Sequence, residues 1–149
     1  MAQIKLIVYA TDFSDGSAHA AELAGQMTRL HGARLHLLHV ITELQDRHWR
    51  GIPVGLMEEF AREVKTQAVA DMHDFAQRFF GDFEGELTTD VVMGPAAEEI
   101  LVQASALGAD LIVMGTHGRS GVEKLLVGST TERLIRKSMI PVLTVPERG

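Results

Sequence analysis

Gly115, Gly118 and Gly121 follow the apolar run Leu111-Ile112-Val113-Met114, and Gly128-Ser129-Thr130-Thr131 stands a short apolar patch later. Glycine lets backbone approach a ligand with no Cβ in the way and tolerates positive φ. Ser129 and Glu132 have the S-x-x-E spacing of a capping box, so a helix is expected to open at Ser129. A helix start leaves N–H groups unpaired and carries a partial positive charge, which suits an oxyanion. Gly115, Gly118 and Gly128 at these spacings therefore read as a phosphate cradle at the carboxyl end of a strand. The hydroxyls of Ser129, Thr130 and Thr131 can either cap the helix or bond phosphate oxygens. His117, Arg119 and Lys124 can donate to phosphate or stand as solvated surface groups. The run matches neither G-x-x-x-x-G-K-[ST] nor G-x-G-x-x-G, so kinase or GTPase chemistry is not indicated.

Asp12 is the other candidate, at the end of the apolar strand Lys5 to Ala10 (KLIVYA). It has two readings: a cap, with Ser14, for the following helix, or a contact to ribose or to a phosphate-bound Mg²⁺. The seven histidines show no H-x3-H or H-E-x-x-H spacing. His36 and His39 point to opposite faces of a strand, which argues against a shared metal. No carboxylate or histidine stands out as a general base, and no Ser/His/Asp group can be argued from spacing.

Composition bounds the class. The 149 residues fit one domain, 1–149, with 46% hydrophobic and 23% charged residues. No apolar run is long enough to cross a membrane, and no signal-peptide pattern opens the chain. Zero cysteines exclude disulfides and thiolate metal sites and fit a cytoplasmic location. A net charge of −6 argues against a nucleic-acid binder working through a general basic surface. Charge is uneven: Glu43 to Asp90 holds five Lys/Arg against eleven Asp/Glu, whereas Gly115 to Lys137 holds five against two. The positive excess falls on the expected anion site.

The elements that must position these groups alternate. Strands are expected at Lys5–Ala10, Arg34–Val40, Leu87–Met93, Leu111–Met114 and Pro141–Val145. The first helix has an apolar stripe of Ala20, Leu23, Ala24, Met27 and Leu30, with Gly32 as its stop. Thr42 to Gly55 reads as a long exposed loop. A long helix follows, with a stripe from Met57 to Phe79 that reads as core. Pro95 is expected at the first position of the next helix, with Glu98 and Glu99 in its first turn and Ala97, Ile100, Leu101 and Ala104 inward. Strands alternating with helices imply an α/β doubly wound parallel sheet, whose ligands sit beyond the strand carboxyl ends where the winding reverses.

Gly115-x2-Gly118-x9-Gly128-Ser129 resembles the nucleotide-binding signature of the universal stress protein family, in its ATP-binding branch. The resemblance extends to Val8-Tyr9-Ala10-Thr11-Asp12-Phe13-Ser14, Leu37-Leu38-His39-Val40, Gly94-Pro95 and Ala109–Gly115, and covers all but about Thr42 to Glu86. It implies a five-stranded parallel sheet of order 3-2-1-4-5 with helices on both faces. It also implies nucleotide contacts at Ala10, Thr11, Asp12 and the loop from Gly115, an adenine edge read by the Val40 backbone, and Met114 packed near that pocket. Ala10 stands where relatives often have proline, a departure that alters rigidity more than contact. A homodimer through Pro141–Val145 is implied too, and an apolar edge strand needs such cover.

These features describe a nucleotide-dependent stress or regulatory module that binds ATP with Mg²⁺ on its phosphates, in which bound ATP is expected to order the glycine loop. Other classes stay open: a slow ATPase or nucleotidyl-transferring enzyme on the same scaffold, or an interaction protein with structural glycines only and Thr42–Gly55 as its partner surface.

Overall fold

The computed structural model describes residues 3–14, 16–45, 50–116 and 128–146. Leu6–Ala10 forms β1, Arg34–Ile41 β2, Leu87–Met93 β3, Leu111–Gly115 β4 and Val142–Val145 β5. All pair in parallel in one sheet of order β3-β2-β1-β4-β5. Parallel neighbours need crossovers, and these are the helices α1 (Ser17–His31), α2 (Val54–Phe80), α3 (Ala96–Leu107) and α4 (Ser129–Lys137).

Burial on both faces explains why the strands read as continuous apolar runs. Side chains alternate along β1: Ile7 and Tyr9 join one core with α1 and α2, and Leu6 and Val8 join the other with α3 and α4. Tyr9 is fully buried, and its hydroxyl donates to the Ser17 carbonyl at 2.9 Å. Burial pushes that phenol up to about 12, so it remains a neutral donor that ties β1 to the start of α1.

Helix bounds depart from the sequence expectation in ways with simple causes. In α1 the face on the sheet is Ser17, Ala20, Ala21, Ala24, Gly25 and Thr28, while Leu30 is 76% exposed. Small side chains let this helix approach closely, which turns the expected stripe toward Ala21 and Gly25 and leaves Leu30 outside. Neither Asp12 nor Ser14 caps α1: Gly16 holds the cap position with no side-chain bond. Asp12 Oδ1 instead accepts the Ser14 N–H at 3.0 Å, closing a local turn before the helix begins. Pro95 lies one residue ahead of α3, extended at ψ 127°, because Ala96 is the first helical residue. Thr42–Gly55 is shorter as a loop than expected: Glu43–Gln45 form a 3₁₀ turn and α2 already starts at Val54. Gly32 does end α1 in the left-handed conformation, and Met72 and Phe75 of the long α2 stripe are buried.

Two expected outcomes test this packing. Gly94 has φ +145°, and a Cβ there would meet Glu99 Cγ at 2.8 Å. Gly94→Ala should therefore lower the urea-unfolding free energy by about 1–3 kcal/mol. His36 shares a 2.7 Å hydrogen bond between Nδ1 and Thr88 Oγ1, while Nε2 is buried without a partner. Burial holds this imidazole below its ordinary value near 6.5, with Asp90 opposing. The unfolded chain then binds the proton more readily, so stability should fall as pH drops through and below 6.5. Urea midpoints between pH 7.5 and 5 should show a smaller loss in His36→Gln than in the parent.

Candidate functional site

β1 is the strand from which the crossovers diverge: α1 and α2 run to β2 and β3, and α4 links β4 to β5 on the other side. A crevice of about 280 Å³ opens beyond the carboxyl ends of β1 and β4. Its walls come from the β1 end (Ala10, Thr11, Asp12), the β2 end (Leu38, His39, Val40), the β4 end (Met114, Gly115) and the start of α4 (Gly128 to Thr131). Residues 10 to 12 and 128 to 131, more than a hundred positions apart, thus share one cavity. His117, Gly118, Arg119 and Lys124 lie outside the described residues.

The α4 start is held by backbone bonds. Thr116 N–H donates to the Val145 carbonyl at 3.2 Å, and Gly128 N–H donates to the Thr116 carbonyl at 2.7 Å. Gly128, extended at φ −62° and ψ 156°, occupies the cap position, so Ser129 is one residue inside the helix. The expected Ser129–Glu132 capping box is not formed. Glu132 sends its N–H to the Gly128 carbonyl and its carboxylate to Arg136 at 2.6 Å. The N–H groups of Ser129, Thr130 and Thr131 fall in the first turn, where helix geometry provides no acceptor. Thr131 is buried, and its hydroxyl donates to the Gly115 carbonyl at 3.0 Å, pinning α4 to the end of β4. Of the three expected hydroxyl ligands, then, Thr131 has its proton committed to structure. Ser129 is exposed and Thr130 half-buried.

The opposite wall has its own unpaired edge. Leu38 accepts Thr11 N–H at 2.9 Å, while Ile41 accepts Gly94 N–H from the far side at 3.1 Å. Backbone groups of even-numbered residues in this part of β2 therefore face β1, and odd ones face β3. The last β1–β2 pair is Ala10 with Leu38. The N–H and C=O of Val40 point the same way one rung further, where β1 has left the sheet. They open on the crevice.

Charge is distributed differently from the sequence expectation. Arg133 and Lys137 reach Glu98 on α3 at 3.0 and 3.3 Å, and Arg136 pairs with Glu132. A backbone bond, with Lys137 and Arg133, holds the Glu98 carboxyl below the usual range. Two of the five cations counted in this segment thus join α4 to α3, and a third pairs within α4. Among the described residues no Lys or Arg lines the crevice, and its carboxylates are Asp12 and Glu43. Among the described residues, the groups in this wall that suit an anion are the peptide dipoles at the start of α4.

His39 escaped the sequence reading as a site residue. It was weighed only as a metal ligand, yet it is buried at the crevice wall, stacked on Phe13 with ring centroids 4.1 Å apart. The available signal was the second of two histidines in a largely apolar strand, the one beside Val40. Glu43 and Thr42 also line the crevice, from a segment without periodicity.

The fold is a doubly wound parallel α/β sheet with a crevice at its switch point and a helix N-terminus in the wall, the place where ligands sit in sheets of this class. The family model of the universal stress protein family matches residues 3–146. Universal stress protein MJ0577 of Methanocaldococcus jannaschii is 31% identical over 97% of this chain and 96% of its own. Its solved structure superposes with a TM-score of 0.80, covering 99% of both chains. A universal stress protein solved in complex with cAMP (TM-score 0.63, 24% identical, 99% and 100% covered) has the same fold. So does one from Archaeoglobus fulgidus in complex with dAMP (0.57, 20% identical, 96% and 98% covered). The chain belongs to the universal stress protein family.

Removing the Thr131 hydroxyl should leave the Gly115 carbonyl short of a donor. Thr131→Val should lose about 1–2 kcal/mol in urea unfolding, whereas Ser129→Ala, which breaks no cap, should stay within about 0.5 kcal/mol of the parent. A cap-sized loss for Ser129→Ala would contradict the helix start described here.

Proposed function

We propose that residues 1–149 form one unit that binds ATP, with Mg²⁺ on its phosphates, and act as a nucleotide-dependent regulatory module. The observation that carries this reading is that two backbone edges without partners among the described residues line one crevice. Val40 offers an N–H and a C=O side by side, the complement of an adenine edge. Across from it the first-turn amides of α4 face the same space and suit phosphate oxygens. Asp12 lines the same crevice, and its carboxylate suits ribose or the metal. With Asp12 and Glu43 in the wall, a bare polyanion would meet two carboxylates, so a cation on the phosphates favours binding. Fold relatives solved with cAMP and with dAMP hold adenine nucleotides on this scaffold. Among the described residues no helix is long and apolar enough to cross a membrane.

The same reading includes a homodimer. β5 is an edge strand, and beside it Met139 is 97% and Ile135 49% exposed. Carbonyls of Pro141 and Val145 bond to β4, so the backbone of Thr144 faces outward, free to pair with a second copy.

Mass spectrometry of small molecules released from the purified, denatured protein should recover ATP, and calorimetric titration with MgATP should give a saturable isotherm. Gly118→Val, which adds bulk at the expected cradle, should weaken MgATP binding at least about tenfold; unchanged affinity would refute the cradle. For the dimer, Thr144→Pro removes the outward donor and spares the inward bonds. Sedimentation should show a dimer for the parent and a monomer for the variant.

A further inference from the structure

We infer that His39 terminates the β1–β2 ladder by occupying the Thr11 carbonyl, and that this keeps the Val40 N–H open to a ligand's base edge. In a parallel ladder the rung after Thr11 N–H to Leu38 O would run from Val40 N–H to the Thr11 carbonyl. The structure shows the first of these bonds, at 2.9 Å, and not the second. At the place of the missing rung, His39 Nδ1 lies 2.8 Å from the Thr11 oxygen. A carbonyl only accepts, so Nδ1 carries the proton in this contact.

The ring cannot easily leave. It is 5% exposed and stacked on Phe13 at 4.1 Å with 27° between planes, and Phe13 packs on Phe75 of α2. Phe13 itself sits at φ +64°, a left-handed conformation that non-glycine residues seldom adopt. Its N–H donates to Thr11 Oγ1 at 3.1 Å, and the Ser14 N–H to Asp12 Oδ1 at 3.0 Å. Thr11 to Ser14 thus curl away from β2 in a turn whose outer ring holds the imidazole in place. One side chain of β2 does what the next backbone amide of β2 would otherwise do. His39 is in this sense a positioning residue for the nucleotide site, and the inference rests on the proposed reading of Val40.

The test uses the full chain with His39→Phe, which keeps a stacking ring without a donor. Alongside it, His39→Asn carries an amide donor at the Nδ1 position, and His39→Gln moves that donor one carbon outward. In ligand-free protein, Val40 amide hydrogen exchange should slow by about tenfold or more in His39→Phe and His39→Gln, as Val40 takes up the vacated carbonyl. In His39→Asn it should match the parent. MgATP affinity should fall about tenfold in the first two, with a smaller preference for MgATP over MgGTP, and recover in His39→Asn. Should His39→Phe fail to fold, His39→Gln carries the comparison. Equal Val40 exchange in parent and donor-less variants overturns the inference, as does a His39→Asn variant as impaired as His39→Gln. If the parent itself binds no MgATP, the functional reading falls, and the Val40 exchange rates still decide whether His39 ends the ladder.

Discussion

The parallel pairing of β1 with β4 is the contact on which the rest of this molecule depends. These strands are distant in the chain, yet Ile7 to Ala10 lie in register with Leu111 to Met114. β1 also pairs with β2 on its other edge, so its backbone is satisfied on both sides and its side chains are buried on both faces. A strand so enclosed can end in only one way, by sending its chain out of the sheet plane. The helices that follow β1 and β4 cover opposite faces of the sheet. A gap beyond the two carboxyl ends follows from topology before any ligand is considered.

What gives the gap chemical character is the accounting of polar groups around it. Most backbone groups near the ends of β1, β2 and β4 have partners: Thr11 with Leu38, Gly128 with Thr116, Thr116 with Val145, and the Gly115 carbonyl with Thr131. Those left without a partner among the described residues, at Val40 and in the first turn of α4, lie where the ladder and the helix end. A buried or half-buried amide without an acceptor is costly, and a polar ligand relieves that cost. Among the described residues the site is therefore made of missing partners more than of specialised side chains.

Side-chain charge plays a different part. The basic residues of α4 join it to Glu98 on α3 and to its own Glu132, at exposed positions where such pairs are individually weak. The helix whose N-terminus faces the crevice is anchored instead by buried Leu134 and by Thr131 on the Gly115 carbonyl.

Much of this was readable in the sequence for a physical reason. Strand type and order of elements follow from apolar runs such as Leu111–Met114, and glycines at helix ends are local requirements, so Gly32 and the junction at Gly128 were placed to within a residue. The sheet order and the Asp12–Gly115 juxtaposition came from family resemblance, since no spacing encodes which strands become neighbours. Three features belonged to tertiary structure alone. Thr131, a free hydroxyl on paper, is committed to the Gly115 carbonyl. Arg133 and Lys137 turn toward α3, because which way a helix faces depends on what it packs against. His39 acquires its role only when the end of β1 is laid beside it. Sequence determines what each residue is able to donate or accept; the packed sheet decides which of those capacities are spent and which remain for a ligand.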